Sequence, residues 1–263
     1  MSEKYRRWIE ERGVVDCSPL GAHPAFFDPF PHQMTRPDLN ACVEEYFALG
    51  SPIILGRDAP MYKGRWKECF SGELRPLMLE IGSGNGFFLS GRALQRPDCD
   101  WIGVEIRYKR VVMVAKKIRA MQASNARICR FDNWCLDELF GPQTLSGLFT
   151  NHPDPWGKKK HAKKRILSVP FFNWAASVLK QGAEWRIKTD FRIHFDKVLS
   201  MSSSSPYFTV TGQSQDVHRD GVQSSLPWSG SEDIVTNYEQ KFIDKSEPIY
   251  ALRLQRSATP YAD

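Results

Sequence analysis

The sequence predicts an α/β fold: a mostly parallel, seven-stranded sheet with helices on both faces. Three observations lead there. Short apolar runs recur from residue 77 onward, LMLEI (77–81), WIGVEI (101–106), ARICRF (126–131), LSGLFTN (145–151) and AEWRIKT (183–189); runs of that length bounded by turn residues read as buried strands. Helical patterns alternate with them, which implies βαβ units and a sheet covered on both sides. A glycine cluster directly after the first run opens the first of these helices, the place where such folds bring backbone close to a ligand.

The elements follow in order. Residues 2–12 suit a short amphipathic helix, and Pro19, Pro24, Pro29, Pro31 and Pro37 make the next stretch extended loop. Asp38 to Leu49 reads as a helix capped by Asp38. Gly50 to Gly72 is mixed and suggests no chemistry. Helices are expected over 87–95, over 108–122 (YKRVVMVAKKIRAMQ) and over 169–180, the last with Ser168 as cap, Pro170 in its first turn and Gly182 just past its end. Residues 201–205 and 212–231, rich in Ser, Gly and Gln, read as mobile surface loop. The last two strands are expected at 206–211 and 248–254, one of them antiparallel at an edge. The resulting division is an N-terminal extension over 1–62, an α/β domain over 63–256 and a tail over 257–263.

Composition limits the function. With 263 residues, 41% hydrophobic and 25% charged, the chain can bury a sizeable core and is neither a disordered chain nor a small disulfide scaffold. Mean hydropathy is −0.43, and no apolar run approaches the roughly 20 residues that span a bilayer. The charged start MSEKYRRWIEERG lacks the apolar stretch of a secretory leader, so a cytoplasmic protein is expected. Cys17, Cys42, Cys69, Cys99, Cys129 and Cys135 form no CxxC pair and have no histidine at metal-ligand spacing; they read as buried or idle thiols, and no metal is expected. Net charge is +6, and all of it is accounted for by KKKHAKKR (158–165). One concentrated cationic segment on a balanced body favours a polyanionic partner.

The glycine cluster reads Glu80-Ile-Gly82-Ser-Gly84-Asn-Gly86. Its ExGxGxG spacing differs from the GxGxxG of dinucleotide sites. An acid two residues before the first glycine repels a phosphate and suits a cationic or hydroxyl-rich ligand. Glu105 ends the second strand, where a carboxylate can accept from both hydroxyls of a ribose; Asp132 follows the third strand, where it can accept from an adenine amino group. A parallel sheet gathers these strand ends on one edge. A glycine loop with three acids there describes a site for S-adenosylmethionine, whose sulfonium is positive.

After the fourth strand comes NHPDPWGKKKHAKKR (151–165). Pro153 and Pro155 fix their own φ and bias the residues before them toward extended backbone, so Asp154 is expected to be held stiffly. Trp156 offers an aromatic face, and six cations follow within eight residues. A rigid carboxylate, a stacking surface and a phosphate clamp together fit recognition of a nucleic-acid base.

These residues carry a specific resemblance. Residues 63 to 256 resemble the tRNA (guanine-N7-)-methyltransferase family of the bacterial single-subunit type, through EIGSGNG (80–86), GVEI (103–106), NHPDPWGKKKHAKKR (151–165), KTD (188–190) and TNYE (236–239). The resemblance implies a Rossmann-like, S-adenosylmethionine-dependent methyltransferase fold. It implies methyl transfer to N7 of the variable-loop guanine of tRNA. Glu80, Gly82, Gly84, Gly86, Glu105, Asp132 and Asp154 would line the cofactor site, with Asp154 also catalytic. Lys158, Asp190, Thr236, Asn237, Tyr238 and Glu239 would meet the target nucleotide, and Lys160, His161, Lys163, Lys164 and Arg165 the tRNA. His152, Arg107, Asn237 and Tyr238 depart from the family's usual residues; His152 reads as packing and His161 as a phosphate contact. Rival readings are a methyltransferase of another RNA or a small molecule, and a non-catalytic RNA-binding relative. Whether the chain acts as a monomer or a homodimer is not encoded in these motifs.

Overall fold

The computed structural model describes residues 42–219 and 234–261. The expected elements over 2–37, the Asp38 cap and most of the loop over 212–231 lie outside them. The first described helix, α1 (Val43–Leu49), lies against the sheet's second long helix, and the Arg119 guanidinium bonds to the Leu49 and Ser51 carbonyls just beyond its end. A two-residue strand, β1 (Ile53–Ile54), follows.

The central unit is β2 (Leu77–Ile81), α2 (Phe87–Gln95), β3 (Asp100–Glu105), α3 (Tyr108–Ala120) and β4 (Ala126–Arg130). Then come β5 (Leu145–Asn151), α4 (Val169–Val178), β6 (Leu179–Thr189), α5 (Arg192–Ser203), β7 (Phe208–Ser214), α6 (Asn237–Asp244) and β8 (Tyr250–Arg256). The sheet order is β1-β4-β3-β2-β5-β6-β8-β7. It thus has eight strands; the one beyond the expected seven is β1, paired parallel to β4 at the outer edge. A two-residue strand leaves no periodicity to read in the sequence.

The neighbours from β1 to β6 are parallel, while β8 runs antiparallel to both β6 and β7. The antiparallel strand therefore lies one place in from the edge, and β7 forms the edge. Chain reversal occurs at β2: its successors β3 and β5 lie on opposite sides of it. Ligands of open α/β sheets bind in the crevice beyond the carboxyl ends at such a switch point.

Two apolar clusters flank the sheet. Trp101, Ile128 and Phe149 pack with Val111, Val114 and Ala115 of α3 and with Val43 and Tyr46 of α1. Leu79, Ile102, Leu148 and Trp185 pack with Phe171, Phe172, Phe195 and Val198 of α4 and α5. Alternate strand residues divide between the clusters, as the two-residue period of a strand requires.

Three expectations are corrected here. Helix α4 stops at Val178, and Gly182, with φ of +79°, falls within the first residues of β6 rather than at the helix end. Residues 201–203 are the last turn of α5 rather than loop; the Ser202 and Ser203 hydroxyls bond to the carbonyls of Val198 and Leu199 four residues back, which lets serine ride inside a helix. His152, which precedes a proline and was expected to be extended, has φ of +46°.

Candidate active site

The glycine loop is built from backbone that only glycine adopts freely. Gly82, Gly84 and Gly86 have φ of +72°, +53° and +76°, a region that strains any residue with a Cβ. The loop rests on the end of β3: the amides of Gly82 and Ser83 donate to the Val104 carbonyl at 2.8 and 3.3 Å. The Gly84 amide donates to Glu105 Oε2 at 3.2 Å. A side chain at Gly103 would collide with Ser83 of this loop and with Leu89, which accounts for the glycine in GVEI. The three loop glycines differ in role. A Cβ at Gly82 would enter open space and one at Gly84 would meet only the Gly82 carbonyl at 3.9 Å, whereas one at Gly86 would press on Val114 Cα at 3.0 Å. Gly82 and Gly84 thus leave an open face on the loop, and Gly86 lets α3 approach.

Glu80 is 2% exposed. Its Oε1 accepts from Asn151 Nδ2 of β5 at 3.1 Å, across the switch point. Its Oε2 is buried with no hydrogen-bond partner among the described residues. Burial pushes the carboxyl up to about 7, against the tempering of Asn151 and of the nearby Ser83 hydroxyl. An orphaned carboxylate oxygen beside open loop backbone is what a positively charged ligand would complete. Glu105 Oε1 accepts from the amides of Ile106 and Arg107 at 2.9 and 3.0 Å; it is held in one orientation, and burial raises its pKa despite those bonds. Asp132 Oδ1 accepts from the Trp134 amide at 3.0 Å, capping the short turn Asn133–Glu138.

The second half of the site lies at the ends of β5 and β6. Asp154 is exposed and makes no hydrogen bond or ion pair with a described residue. It is nevertheless beside α6: burial, Asp190 and Asp154, in that order, raise the pKa of the Tyr238 hydroxyl. The three residues that the sequence proposed from separate motifs are therefore neighbours. Thr236 caps α6, its hydroxyl accepting from the Glu239 amide at 3.1 Å. Asn237 and Tyr238 are exposed on the first turn.

Glu239 is placed differently from its exposed neighbours. It is 1% exposed, and its Oε1 accepts from Lys188 Nζ of β6 at 3.0 Å and lies 3.1 Å from His218 Nε2. Burial works against its charge, but His152 and Lys188 outweigh it and hold the carboxyl down at about 2. His152 Nδ1 lies 3.3 Å from Asp190 Oδ1, and its Nε2 is 3.8 Å from Glu239 Oε2. Lys188, His152 and His218 were not among the site residues read from sequence. Lys188 lies inside KTD, so a motif held the signal; nothing in the sequence tells a histidine between two acids from one in a packed core.

The basic segment forms the short turns of Lys159–Lys164. Lys158, Lys160 and Lys163 are exposed and make no ion pair with a described residue. Lys164 Nζ sits 4.7 Å from the centre of the Trp156 ring, and His161 meets the same ring edge-on at 5.6 Å. Arg165 is a brace: its guanidinium donates to the carbonyls of Pro155 and Trp156 at 3.0 and 3.1 Å. The Trp156 face is thus occupied by the segment's own cation.

A relative of known structure, described as an antibiotic-related methyltransferase, shares the fold with a TM-score of 0.50 and 13% identity over 70% of this chain and 88% of its own. A family model described as "Putative methyltransferase" matches residues 74–252. With the open glycine loop, the orphaned Glu80 and the carboxyl-edge acids, this defines an S-adenosylmethionine-dependent methyltransferase. Curated tRNA (guanine-N(7)-)-methyltransferases narrow the class. That of Bacillus licheniformis is 30% identical over 213 residues, 81% of this chain and 94% of the relative. That of Lysinibacillus sphaericus is 34% identical over 207 residues, 78% and 90% respectively. The chain belongs to the tRNA (guanine-N7-)-methyltransferase family.

Loop geometry sets the first expected result. Gly84→Val puts a β-branched side chain at φ of +53° on the open face. Calorimetry should then detect no S-adenosylmethionine binding at concentrations that saturate the unaltered protein, and unchanged affinity would remove the loop from the donor site.

Proposed function

We propose that this protein transfers the methyl group of S-adenosylmethionine to N7 of the variable-loop guanine of tRNA, forming 7-methylguanosine. The observation that carries the reading is the meeting of two half-sites on one sheet edge. One is a donor cradle with an unpaired buried carboxylate oxygen. The other is an acidic, aromatic rim of Asp154, Asp190 and Tyr238, followed by the exposed Lys158, Lys160 and Lys163. Glu80, Gly82, Gly84, Glu105 and Asp132 would hold the donor, with Gly86 acting through helix packing. Lys158, Asp190, Thr236, Asn237 and Tyr238 would hold the guanine.

The donor's sulfonium supplies an activated methyl group. Guanine N7 has a lone pair and no proton, so none of the chain's residues need act as a base. The protein's task is alignment, and a near-attack pose can contribute about 7–11 kcal/mol. Positive charge moves onto the guanine imidazole ring as the bond forms. Asp154, fixed between two prolines and free of hydrogen bonds and ion pairs with the described residues, is the group placed to stabilise it. The major groove of A-form RNA is deep and narrow, so the enzyme takes a base from a loop or out of its stack.

The decisive experiment incubates the protein with labelled S-adenosylmethionine and unmodified tRNA, then cleaves with aniline at 7-methylguanine. Cleavage at a single variable-loop guanine is expected; label without cleavage would mean another methylated atom. Donor binding should also depend on pH. The Glu80 carboxyl is up at about 7, so it is largely protonated at pH 6, and a cationic ligand favours its ionised form. Affinity should rise between pH 6 and 8, with a proton released on binding near pH 6.5. In Glu80→Gln both effects should vanish; a proton release that persists would assign it elsewhere.

The lysines give a third result. Lys160→Gln with Lys163→Gln should lower the slope of log affinity for tRNA against log salt by about 0.7–0.9 per lost phosphate contact. Arg165 is left in place because it braces the carbonyls of Pro155 and Trp156. An unaltered slope would separate this segment from the RNA.

No described helix is long and apolar enough to cross a membrane, and a tRNA substrate fits work in the cytoplasm. We assign the methyltransferase unit to residues 63–256, with the preceding extension lending α1 and β1 to its outer edge and residues 257–263 forming a tail.

A further inference from the structure

Behind the exposed rim lies a buried ionic cluster in which a histidine stands between two acids. Two acids belong to it: Glu239 of α6 and Asp190 after β6, with side chains 1% and 12% exposed. Lys188 Nζ lies 3.0 Å from Glu239 Oε1. His152 stands between the acids, its side chain 5% exposed, with Nδ1 toward Asp190 and Nε2 toward Glu239. Nδ1 is within hydrogen-bonding distance of Asp190, and Nε2, at 3.8 Å from Glu239 Oε2, makes no hydrogen bond there but lies in ion-pair range, so an imidazolium is attracted to both carboxylates and a neutral ring is not. The other charged or titratable groups around it among the described residues are Tyr238 of α6 at 5.1 Å ring to ring, His218 on Glu239, and Asp154 beside Tyr238. The His218 side chain is 27% exposed.

The backbone at His152 supports a dedicated role. Its φ of +46° is costly for a residue with a Cβ, yet its amide donates to the Lys188 carbonyl at 2.8 Å. Its ring also lies parallel to Phe242 of α6, 9° between planes and 6.3 Å apart. Side chain and backbone thus join three elements at one point.

We infer that His152 is a positioning residue for methyl transfer: as an imidazolium between Asp190 and Glu239 it ties helix α6, which carries Thr236 to Tyr238, to the ends of β5 and β6. This rests on the proposed reaction and adds a proton requirement to it. Burial disfavours the charged ring, but the contacts with Asp190 and Glu239 outweigh it, so its pKa is raised above the usual histidine value. Such a group stabilises most below the unfolded value of about 6.5 and loses that contribution as pH rises through the folded value.

The test combines two readouts. In the unaltered protein, nuclear magnetic resonance of the imidazole nitrogens should show His152 titrating above about 6.5; a titration at or below that value overturns the inference whatever the enzyme methylates. In steady-state assays with tRNA, His152→Phe keeps an aromatic ring and removes the charge. Near pH 6.5 it should lower kcat about tenfold, leave S-adenosylmethionine affinity within about twofold, and lose the fall in kcat that the unaltered enzyme shows as His152 deprotonates. Retention of that pH limb by His152→Phe, or by His152→Gln should the first variant not fold, overturns it. Failure of the unaltered protein to methylate tRNA would instead count against the proposed reaction and leave the imidazole titration to decide the histidine's state.

Discussion

Replacing Asp154 by alanine should lower kcat for tRNA methylation by about 10²–10³-fold, the loss typical of one preorganised electrostatic group at a reacting centre. The fold should not suffer. Asp154 is exposed and bonds to no described residue, and substitutions of that kind usually change stability by no more than about 0.5 kcal/mol. Donor affinity should hold if the carboxylate serves the guanine rather than the cofactor. Asp154→Asn separates two contributions. It keeps an acceptor for the guanine Watson–Crick edge but loses the negative charge, so an asparagine variant nearly as slow as alanine assigns the effect to charge on the imidazole ring. Rates within threefold of the unaltered enzyme for alanine would take Asp154 out of the chemistry. The measurement is single-turnover methylation, in which product release does not mask the step.

The sequence shows this site unevenly, and the reasons are physical. The strands β2 to β5 are legible because buried parallel strands must be apolar along their length, and the loop after β2 because Gly82, Gly84 and Gly86 occupy backbone that other residues avoid. Helix α5 went unread: its buried set, His194, Phe195, Val198 and Ser202, includes a histidine and a serine that hide the apolar stripe. Asp154, Asp190 and Tyr238 were found in separate motifs, and only the tertiary fold makes them neighbours. The ionic cluster beneath them could not be read. A lysine at 188, a histidine at 152 and a glutamate at 239 cannot be read from a sequence as one buried ionic set, because their burial is conditional on one another. Arg165 illustrates the converse: in a run of six cations it looks like its neighbours, yet its guanidinium is spent on the carbonyls of the PDPW turn.

That mutual dependence predicts the largest stability effect. Glu239→Ala removes the carboxylate that the Lys188 ammonium, with a side chain only 6% exposed, meets at 3.0 Å. Breaking a buried pair from one side costs about 3–5 kcal/mol, because an uncompensated charge remains. Urea denaturation should show that loss at pH 7. The α6 cap does not explain it away, since the Thr236 hydroxyl still accepts from the amide of residue 239. Acid should erase the difference. The Glu239 carboxyl is held down at about 2, so its contribution is full above the unfolded value of about 4.5 and is lost as pH falls toward 2. The double variant Glu239→Leu with Lys188→Met should regain most of the stability, because neither charge is left to desolvate. It should not regain turnover if α6 must be anchored by charge, since His152 and Asp190 would then face an apolar neighbour. A double variant as unstable as the single one would mean that packing, not the ion pair, holds α6 against β6.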